Sequence, residues 1–401
     1  MKILAIRTHW HPVNTPGSRR FESFLNFLAK ENDVTLLSYK HPTHKFDSKD
    51  LPEKPYSNIT VEIPEIFYNS LYQRFVGKLR MSIPHLDGLF SFGERTLNKG
   101  LELCKENKYD VIITTYQPIT SLKVAHVLSA RTGVPWICDL RDLPNQFLPL
   151  GHFNIEAKCL SNIIANSSGI TCATDGLEYR LINEYQKNNV KTIYNGIPEN
   201  WLKEIQGNSG NNQNENFDII YAGSLYAGRS LNILLEAIGQ IDLPTPRKKL
   251  IRVKVYGNIK ASVKKEYSDK YGNMVVFEGL VEQKDLKELY QKSSLLVNLM
   301  PEGHSAAIPS KIFEYAATGV KMLNISPESS FVSRFIENNA LGITTNDISE
   351  CAEWLLTLFK GWEENENSIL NCKVPNELLA YTREMQALSF QRYIEDTLKN
   401  E

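Results

Sequence analysis

Two successive runs of alternating strand and helix signals, separated by a polar stretch, constrain this chain more than any other feature. In the first run Ile3 to Ile6 reads as a buried strand, and Phe21, Phe24, Leu25 and Leu28 give the i, i+3, i+4, i+7 stripe of an amphipathic helix. Val34 to Leu37, Val111 to Thr115, Val134 to Cys138, Ile170 to Ala173 and Thr192 to Tyr194 read as further strands, with Leu122, Ala125 and Leu128 marking an intervening helix. Gln206 to Asn216 is rich in Asn, Gly and Ser and reads as a polar loop near a domain boundary. The alternation then restarts with a strand at Phe217 to Ala222 and a helix carrying Leu231, Leu234, Leu235 and Ile238. Strands follow at Ile251 to Tyr256, Val275 to Phe277, Leu295 to Leu299 and Val320 to Ile325. Tyr381 to Asn400 reads as a long helix with Met385, Leu388, Ile394 and Leu398 inward. Apolar strands alternating with helices build parallel sheets covered on both faces. The expected class is α/β, with two doubly wound, Rossmann-like domains facing across a cleft that takes a ligand at the strand C-terminal ends.

Composition excludes several alternatives. The chain has 401 residues, enough for two full cores, and a formal net charge of −1, so no global field recruits nucleic acid or anionic membrane. Its six cysteines are scattered without a Cys-x-x-Cys pair and read as buried free thiols of a reducing compartment. The apolar run at the start is cut off by Arg7, too short for a signal peptide or a membrane span. The expected location is the cytoplasm. Phe67 to Phe92 mixes aromatic and apolar residues with Arg74, Lys78 and Arg80. It is either a core helix with a solvated face or a basic amphipathic patch that rests on the inner face of a membrane.

Pro309-Ser310-Lys311-Ile312-Phe313-Glu314-Tyr315-Ala316-Ala317-Thr318-Gly319 carries the clearest chemistry. Pro309 suits a first helical turn and Gly319 a left-handed stop. Lys311 and Glu314, three apart, share a face close to the helix N-terminus, where an anion is favoured. Lys311 and the backbone N–H groups would meet a diphosphate, and Glu314 would accept from ribose hydroxyls. A surface helix with a charge pair is the alternative.

Four further loops carry polar residues. After the first strand come His9, Trp10, His11 and then Gly17-Ser18-Arg19-Arg20, with Gly17 positioned to approach a phosphate. No Walker or Gly-x-Gly-x-x-Gly sequence occurs. His9 and His11 lack companions at ligand spacing, so a hydrogen-bonding or packing role for His11 is preferred to metal. Asp139-Leu140-Arg141-Asp142 closes an apolar strand and is either a structural ion-pair network or a cleft lining in which Asp142 or Asp139 meets acceptor hydroxyls, with Arg141 a further acceptor-side candidate. Gly223-Ser224-Leu225-Tyr226-Ala227-Gly228-Arg229 lets backbone approach a ligand, with Arg229 placed to chelate a diphosphate. Met300 to Ile308 would wall a sugar pocket, with Glu302 and His304 either touching sugar hydroxyls or exposed.

Taken in order, these segments resemble glycosyltransferase family 4, of the GT-B fold. Pro309 to Gly319 resembles its Pro-Ser/Gly-Lys-x-Phe-Glu-Tyr-x-Ala-x-Gly element. Ala222 to Arg229 is similar to a subgroup's Ala-Gly-Thr-Leu-Tyr-x-Gly-Arg loop, and Val134 to Asp142 to its Pro-Trp-Ile-x-Asp-x-Arg-Asp segment. Ile193-Tyr194-Asn195-Gly196-Ile197 is similar to the element at the interdomain crossover. The resemblance implies a retaining, metal-independent transfer from a nucleotide-diphosphate sugar to a hydroxyl acceptor, a glycan or lipid-linked glycan in surface polysaccharide synthesis. It implies a donor held by Gly223, Ser224, Tyr226, Arg229, Ser310, Lys311 and Glu314, with Gly17 approaching from the other domain. Arg229, Lys311 and Asp142 would carry catalysis. The expected domains are 1–198, 199–380 and a C-terminal helix, 381–401, crossing back onto the first. Two departures stand out: Ala306 occupies the position of a family Glu, and Thr114 to Pro118 lacks a family His. They keep two alternatives open, a catalytically inactive nucleotide-sugar-binding scaffold and a sugar-nucleotide epimerase.

Overall fold

The computed structural model describes residues 1–9, 16–40, 54–62, 90–144, 155–198, 200–202, 215–225, 228–282, 284–326, 329–372, 374 and 376–400. The chain divides into two units, Met1–Asn195 with Arg383–Glu401, and Gly196–Thr382.

The first unit holds β1 (Lys2–His9), β2 (Asp33–Lys40), β3 (Ser57–Glu62), β4 (Val111–Tyr116), β5 (Trp136–Leu140), β6 (Gly169–Cys172) and β7 (Val190–Thr192), paired parallel in the order β3-β2-β1-β4-β5-β6-β7. Successive strand residues point to opposite faces, and the two faces bury different layers. Ile3, Ala5, Val111, Ile113 and Ile137 pack with Phe21, Phe24, Leu25 and Leu28 of the Pro16–Leu28 helix. Leu4, Ile6, Ile112 and Cys138 pack with Leu122, Ala125 and Leu128 of the Ile119–Thr132 helix.

The second unit holds β8 (Phe217–Ala222), β9 (Ile251–Tyr256), β10 (Val275–Gly279), β11 (Leu295–Leu299), β12 (Met322–Ile325) and β13 (Gly342–Thr345), all parallel, in the order β10-β9-β8-β11-β12-β13. Both sheets therefore reverse strand order beside their first strand, the arrangement that opens a crevice at the strand C-terminal ends.

Four expectations need correction. The strand expected at Val134 to Cys138 runs from Trp136 to Leu140, that expected at Thr192 to Tyr194 runs from Val190 to Thr192, and that expected from Val320 begins at Met322, where the parallel ladder with β11 starts. The last helix begins at Arg383; Ile394 is buried in the first unit's core and Leu398 packs against it, as expected, but Ala387 and Phe390 are the other residues buried there and Met385 is exposed. Phe390 sets this rotation by stacking on Phe24 with ring centroids 4.5 Å apart, and Gln386 Oε1 accepts from Tyr194 N at 2.6 Å.

None of the six cysteines is in a disulfide; Cys138, Cys172 and Cys351 are buried and the other three half-buried. No helix among the described residues is long and apolar enough to cross a membrane. Of Phe67 to Phe92, the stretch read as a core helix or membrane patch, all but the backbone of 90–92 lies outside the described residues.

Candidate functional site

In the second unit β8 stands at the reversal of strand order, with β9 on one side and β11 on the other. The loops leaving these strands are held together by glycines. A Cβ on Gly257, just past β9, would lie 2.3 Å from the carbonyl oxygen of Gly223, just past β8, and Gly223 N donates to Tyr256 O at 2.8 Å. Gly257→Ala should therefore push the β8 loop off its position and destabilise the unit by about 1–3 kcal/mol, the usual cost of forcing an extra carbon into a packed site. Urea unfolding measures this, and an unchanged midpoint would contradict the close approach. Gly228 adopts φ +84°, and a Cβ there would lie 3.1 Å from Pro301 Cβ, so the turn before Arg229 rests on the loop that follows β11. Beyond Arg229, Tyr267 Oη accepts from Leu231 N at 3.0 Å and hydrogen-bonds Ser230 Oγ at 3.1 Å. Ser230 Oγ also accepts from Asn232 N at 3.1 Å, at the start of the Asn232–Gln240 helix.

The Ser310–Ala316 helix sits against this loop. Pro309 is its N-cap residue with φ −59° and no side-chain cap, and Gly319 takes φ +73° beyond its end. Ile312, Phe313 and Tyr315 are buried, which fixes the rotation of the helix. One turn clamps both polar groups of a single residue at the end of β8. Ala222 N donates to Tyr315 Oη at 3.2 Å, and Lys311 Nζ donates to Ala222 O at 3.4 Å. Lys311 Nζ also lies 4.2 Å from the centroid of the Tyr221 ring, whose hydroxyl donates to Ser224 O at 3.0 Å.

These surroundings are poor ones for a charged ammonium. Burial, and then the nearby positive charge of Arg229, pull Lys311 down to about 7. Desolvation and like charge both disfavour the protonated amine, so an anion held by both cations would reverse the shift. Glu314, one turn on from Lys311, is only 4% exposed. The fold thus brings Gly223, Ser224, Arg229, Ser310, Lys311 and Glu314 into the loops and helix at one strand-end region. Tyr226 lies outside the described residues.

The outer loop residues divide differently. Glu302 is exposed, and His304 Nδ1 lies 3.1 Å from the Glu302 carbonyl oxygen, within its own turn at Gly303 (φ +76°).

In the first unit the geometry of Asp139 matches one of its two readings, the structural ion-pair network, and not the cleft lining. Asp139 is wholly buried and accepts from Arg20 Nη2 at 2.8 Å, from Arg20 Nε at 3.1 Å, from Thr171 Oγ1 at 2.9 Å and from Thr115 Oγ1 at 3.2 Å. Arg20 Nη1 donates onward to Tyr194 O at 2.7 Å. Asp139 is the centre of a structural ion-pair network, so it presents no carboxylate to an acceptor hydroxyl. Arg141 and Asp142 behave otherwise. They pair at the rim, Nε to Oδ2 2.8 Å, with each side chain about a quarter exposed (25% and 27%). A Cβ on Gly17 would lie 2.6 Å from Arg141 Nη1, so the guanidinium occupies the space a side chain would take. His11 lies outside the described residues.

Several residues escaped the sequence reading. Tyr315 sits four after Lys311, on its face, which was the one available signal; Tyr221 and Tyr267 gave none beyond being aromatic. Arg20 was passed over as a second arginine in a loop. Among the described residues no group of three or more His, Cys, Asp or Glu side chains is arranged to hold a metal ion.

No family model and no curated protein matches this chain. Solved structures do. The structure of Anabaena HepE in complex with UDP and glucose shares 16% identity and a TM-score of 0.65, covering 100% of both chains. A glycosyltransferase from Rickettsia africae ESF-5 shares 12% identity and a TM-score of 0.65, covering 100% of this chain and 99% of its own. A trehalose-6-phosphate structure from E. coli, bound with UDP-2-fluoro glucose, shares 13% identity and a TM-score of 0.65, covering 99% of each chain. With two doubly wound parallel sheets and likeness along the full length, this chain has the GT-B fold.

Proposed function

We propose that this protein is a glycosyltransferase of the family 4 type, which moves a sugar with retention from a nucleotide-diphosphate sugar to the hydroxyl of a glycan or lipid-linked glycan in surface polysaccharide synthesis. The observation that carries the reading is the crowding of two cations, Lys311 and Arg229, at the switch point of the second sheet, with a buried carboxylate, Glu314, one turn away. The solved structures bound to UDP, glucose or UDP-2-fluoro glucose share this fold and make a nucleotide sugar the favoured ligand.

In this reading the diphosphate is bound by Lys311, Arg229 and the backbone of Gly223, Ser224 and Ser310, while Glu314 accepts from the ribose hydroxyls. As the bond from the anomeric carbon to the phosphate oxygen breaks, negative charge grows on the leaving diphosphate. Lys311 and Arg229 already point at it, so their stabilisation needs no reorganisation. The acceptor oxygen bonds to the same face of the anomeric carbon, and its proton passes to a phosphate oxygen. The first unit serves the acceptor, with Asp142 orienting the hydroxyl. The residues in hand supply this chemistry without a metal.

Two measurements test the reading. Purified protein incubated with UDP-glucose and a set of lipid-linked glycans should release UDP only when acceptor and donor are both present; no release with any UDP, GDP or dTDP sugar would reject it. Donor binding should also depend on pH with a defined sign. Below pH 7 Lys311 is already charged, and affinity should be flat. Above pH 7 binding must take up a proton, so Kd should rise, approaching tenfold per pH unit. A diphosphate diester has no group that titrates near neutrality, so calorimetry with the sugar nucleotide between pH 6.5 and about 8.5 isolates the lysine. A flat profile would remove Lys311 from the diphosphate site.

A further inference from the structure

Lys311 has a second chemistry that the proposed transfer does not use. As a binding group it acts protonated, yet its surroundings in the ligand-free protein favour the neutral amine. Its Nζ makes one hydrogen bond, to Ala222 O at a long 3.4 Å. The centroid of the Tyr221 ring lies 4.2 Å away and that of the Tyr315 ring 5.9 Å away. Tyr221 is 1% exposed and Tyr315 is wholly buried, so both rings belong to the core. The charged and titratable groups around the amine are Arg229 of the β8 loop, Tyr221 of β8, and Tyr315 and Glu314 of its own helix. Among the described residues no carboxylate is paired with it or raises its affinity for a proton.

A lysine set in apolar surroundings beside another cation is the arrangement that turns an amine into a nucleophile. With Lys311 held at about 7, about half of the molecules carry the neutral amine at neutral pH. An exposed lysine, titrating near 10.4, does so in fewer than about one molecule in a thousand. The amine is also within reach. Lys311 is half-buried, as are Ala222, Gly223, Ser224 and Arg229 around it, so the region opens to solvent. Arg229 adds selectivity, because its positive charge draws an electrophile that carries its own phosphate. An acyl phosphate is the smallest such molecule. Its carbonyl carbon and its phosphate are joined by one oxygen, so the group that leaves is the group Arg229 attracts.

We propose that Lys311 is a site of covalent modification by acyl phosphates, which acylate its amine and switch the donor site off. Nζ attacks the carbonyl carbon and the N–C bond forms. The C–O bond to phosphate breaks, and phosphate leaves with the electron pair and takes up the proton that the amine loses. The product is a neutral amide, which cannot take up the proton that binding a diphosphate requires. The acylation stands on the surroundings of Lys311; its consequence for donor binding rests on the transferase reading.

The test treats the full chain with acetyl phosphate at pH 7 and maps acetyl-lysine by peptide mass spectrometry. Lys311 should be acetylated at least roughly tenfold faster than the exposed Lys249 and Lys265. The factor stays below the difference in neutral amine because a less basic amine is a weaker nucleophile. The Lys311 rate should level off by about pH 8, while the other two keep rising about tenfold per pH unit. Arg229→Gln is compared at about pH 9, where the amine is neutral with or without that charge. It should slow acetylation of Lys311 by acetyl phosphate roughly tenfold and leave acetylation by acetic anhydride, which has no phosphate, unchanged. Labelling of Lys311 no faster than that of Lys249 and Lys265, or an Arg229→Gln effect that is absent or shared by both reagents, would overturn the proposal. Donor binding is read separately by calorimetry, where protein acetylated at Lys311 should lose UDP affinity at least roughly tenfold. Fast acetylation with UDP affinity unchanged would overturn the switch and remove Lys311 from the donor site. Slow acetylation with tight UDP binding would overturn the modification and leave the transferase reading standing.

Discussion

Lys311→Met is expected to lower turnover by roughly 10²–10³-fold, the loss typical of removing one preorganised charge-stabilising group, while making the ligand-free protein more stable. The two effects share one cause. In the resting protein Lys311 is held at about 7 by burial and by Arg229, so protonating it costs free energy that the unfolded chain does not spend. The unfolded amine titrates near 10.4, so between about pH 7 and pH 10 the unfolded chain binds the extra proton. In that window stability rises with pH, and at neutral pH the lysine is a net burden. Methionine keeps the stem packed on Tyr221 and removes the charge. Under the proposed transferase reading, the same charge faces the leaving diphosphate in the transition state, where it stabilises. Steady-state kinetics and a melting curve on one preparation decide the matter. Near wild-type kcat would exclude Lys311 from catalysis, and a lowered Tm would show that the amine is structural.

Asp139→Ala should be the most destabilising single change in the first unit, costing about 3–5 kcal/mol, because it leaves the Arg20 guanidinium buried without its counter-charge. Arg20 and Asp139 side chains are 2% and 0% exposed, so water cannot replace the lost partner. Thr115 and Thr171 would lose their acceptor as well. At 2–4 °C per kcal/mol for a domain of this size, the melting transition should fall by roughly 6–20 °C. Asp142→Ala is the control, since that carboxylate is about a quarter exposed (27%) and its pair with Arg141 stands at the rim. It should shift Tm by no more than about 2–4 °C, the exposed-pair range of up to 1 kcal/mol. Equal effects from the two substitutions would contradict the division between a closed network and an open rim.

The sequence located the helix at Pro309 to Gly319 because its ends are written in residue types, a proline that fits a first turn and a glycine that takes positive φ. It located the central strands because each is a short, nearly continuous apolar run, as a strand buried on both faces must be. It was silent on β3 and β13. β3 alternates polar and apolar residues at a sheet edge, and β13 is four residues long and mostly Thr and Gly, so neither carries an apolar run. The last helix shows the other limit. Its sequence offers apolar residues on more than one face, and only Phe24 decides that Phe390 turns inward and Met385 outward.

The same division runs through the site. Spacing along one helix places Lys311 and Glu314 on one face, so that pairing was readable from sequence. That Arg229, about 80 residues earlier, crowds Lys311, or that Gly257 exists to let Gly223 approach, depends on strands adjacent in the sheet but distant in the chain. Asp139 and Asp142 make the point within one tripeptide spacing. Asp139 lies on a buried strand face and Asp142 just past the strand end, and their chemistry is set by where the strand stops. Local propensity and apolar periodicity are properties of neighbours in sequence, so the chain alone determined its two α/β units and their helix ends. Burial and Coulomb energy depend on distance through space. Only the tertiary structure therefore decided which carboxylate is sealed and which lysine is held near neutrality.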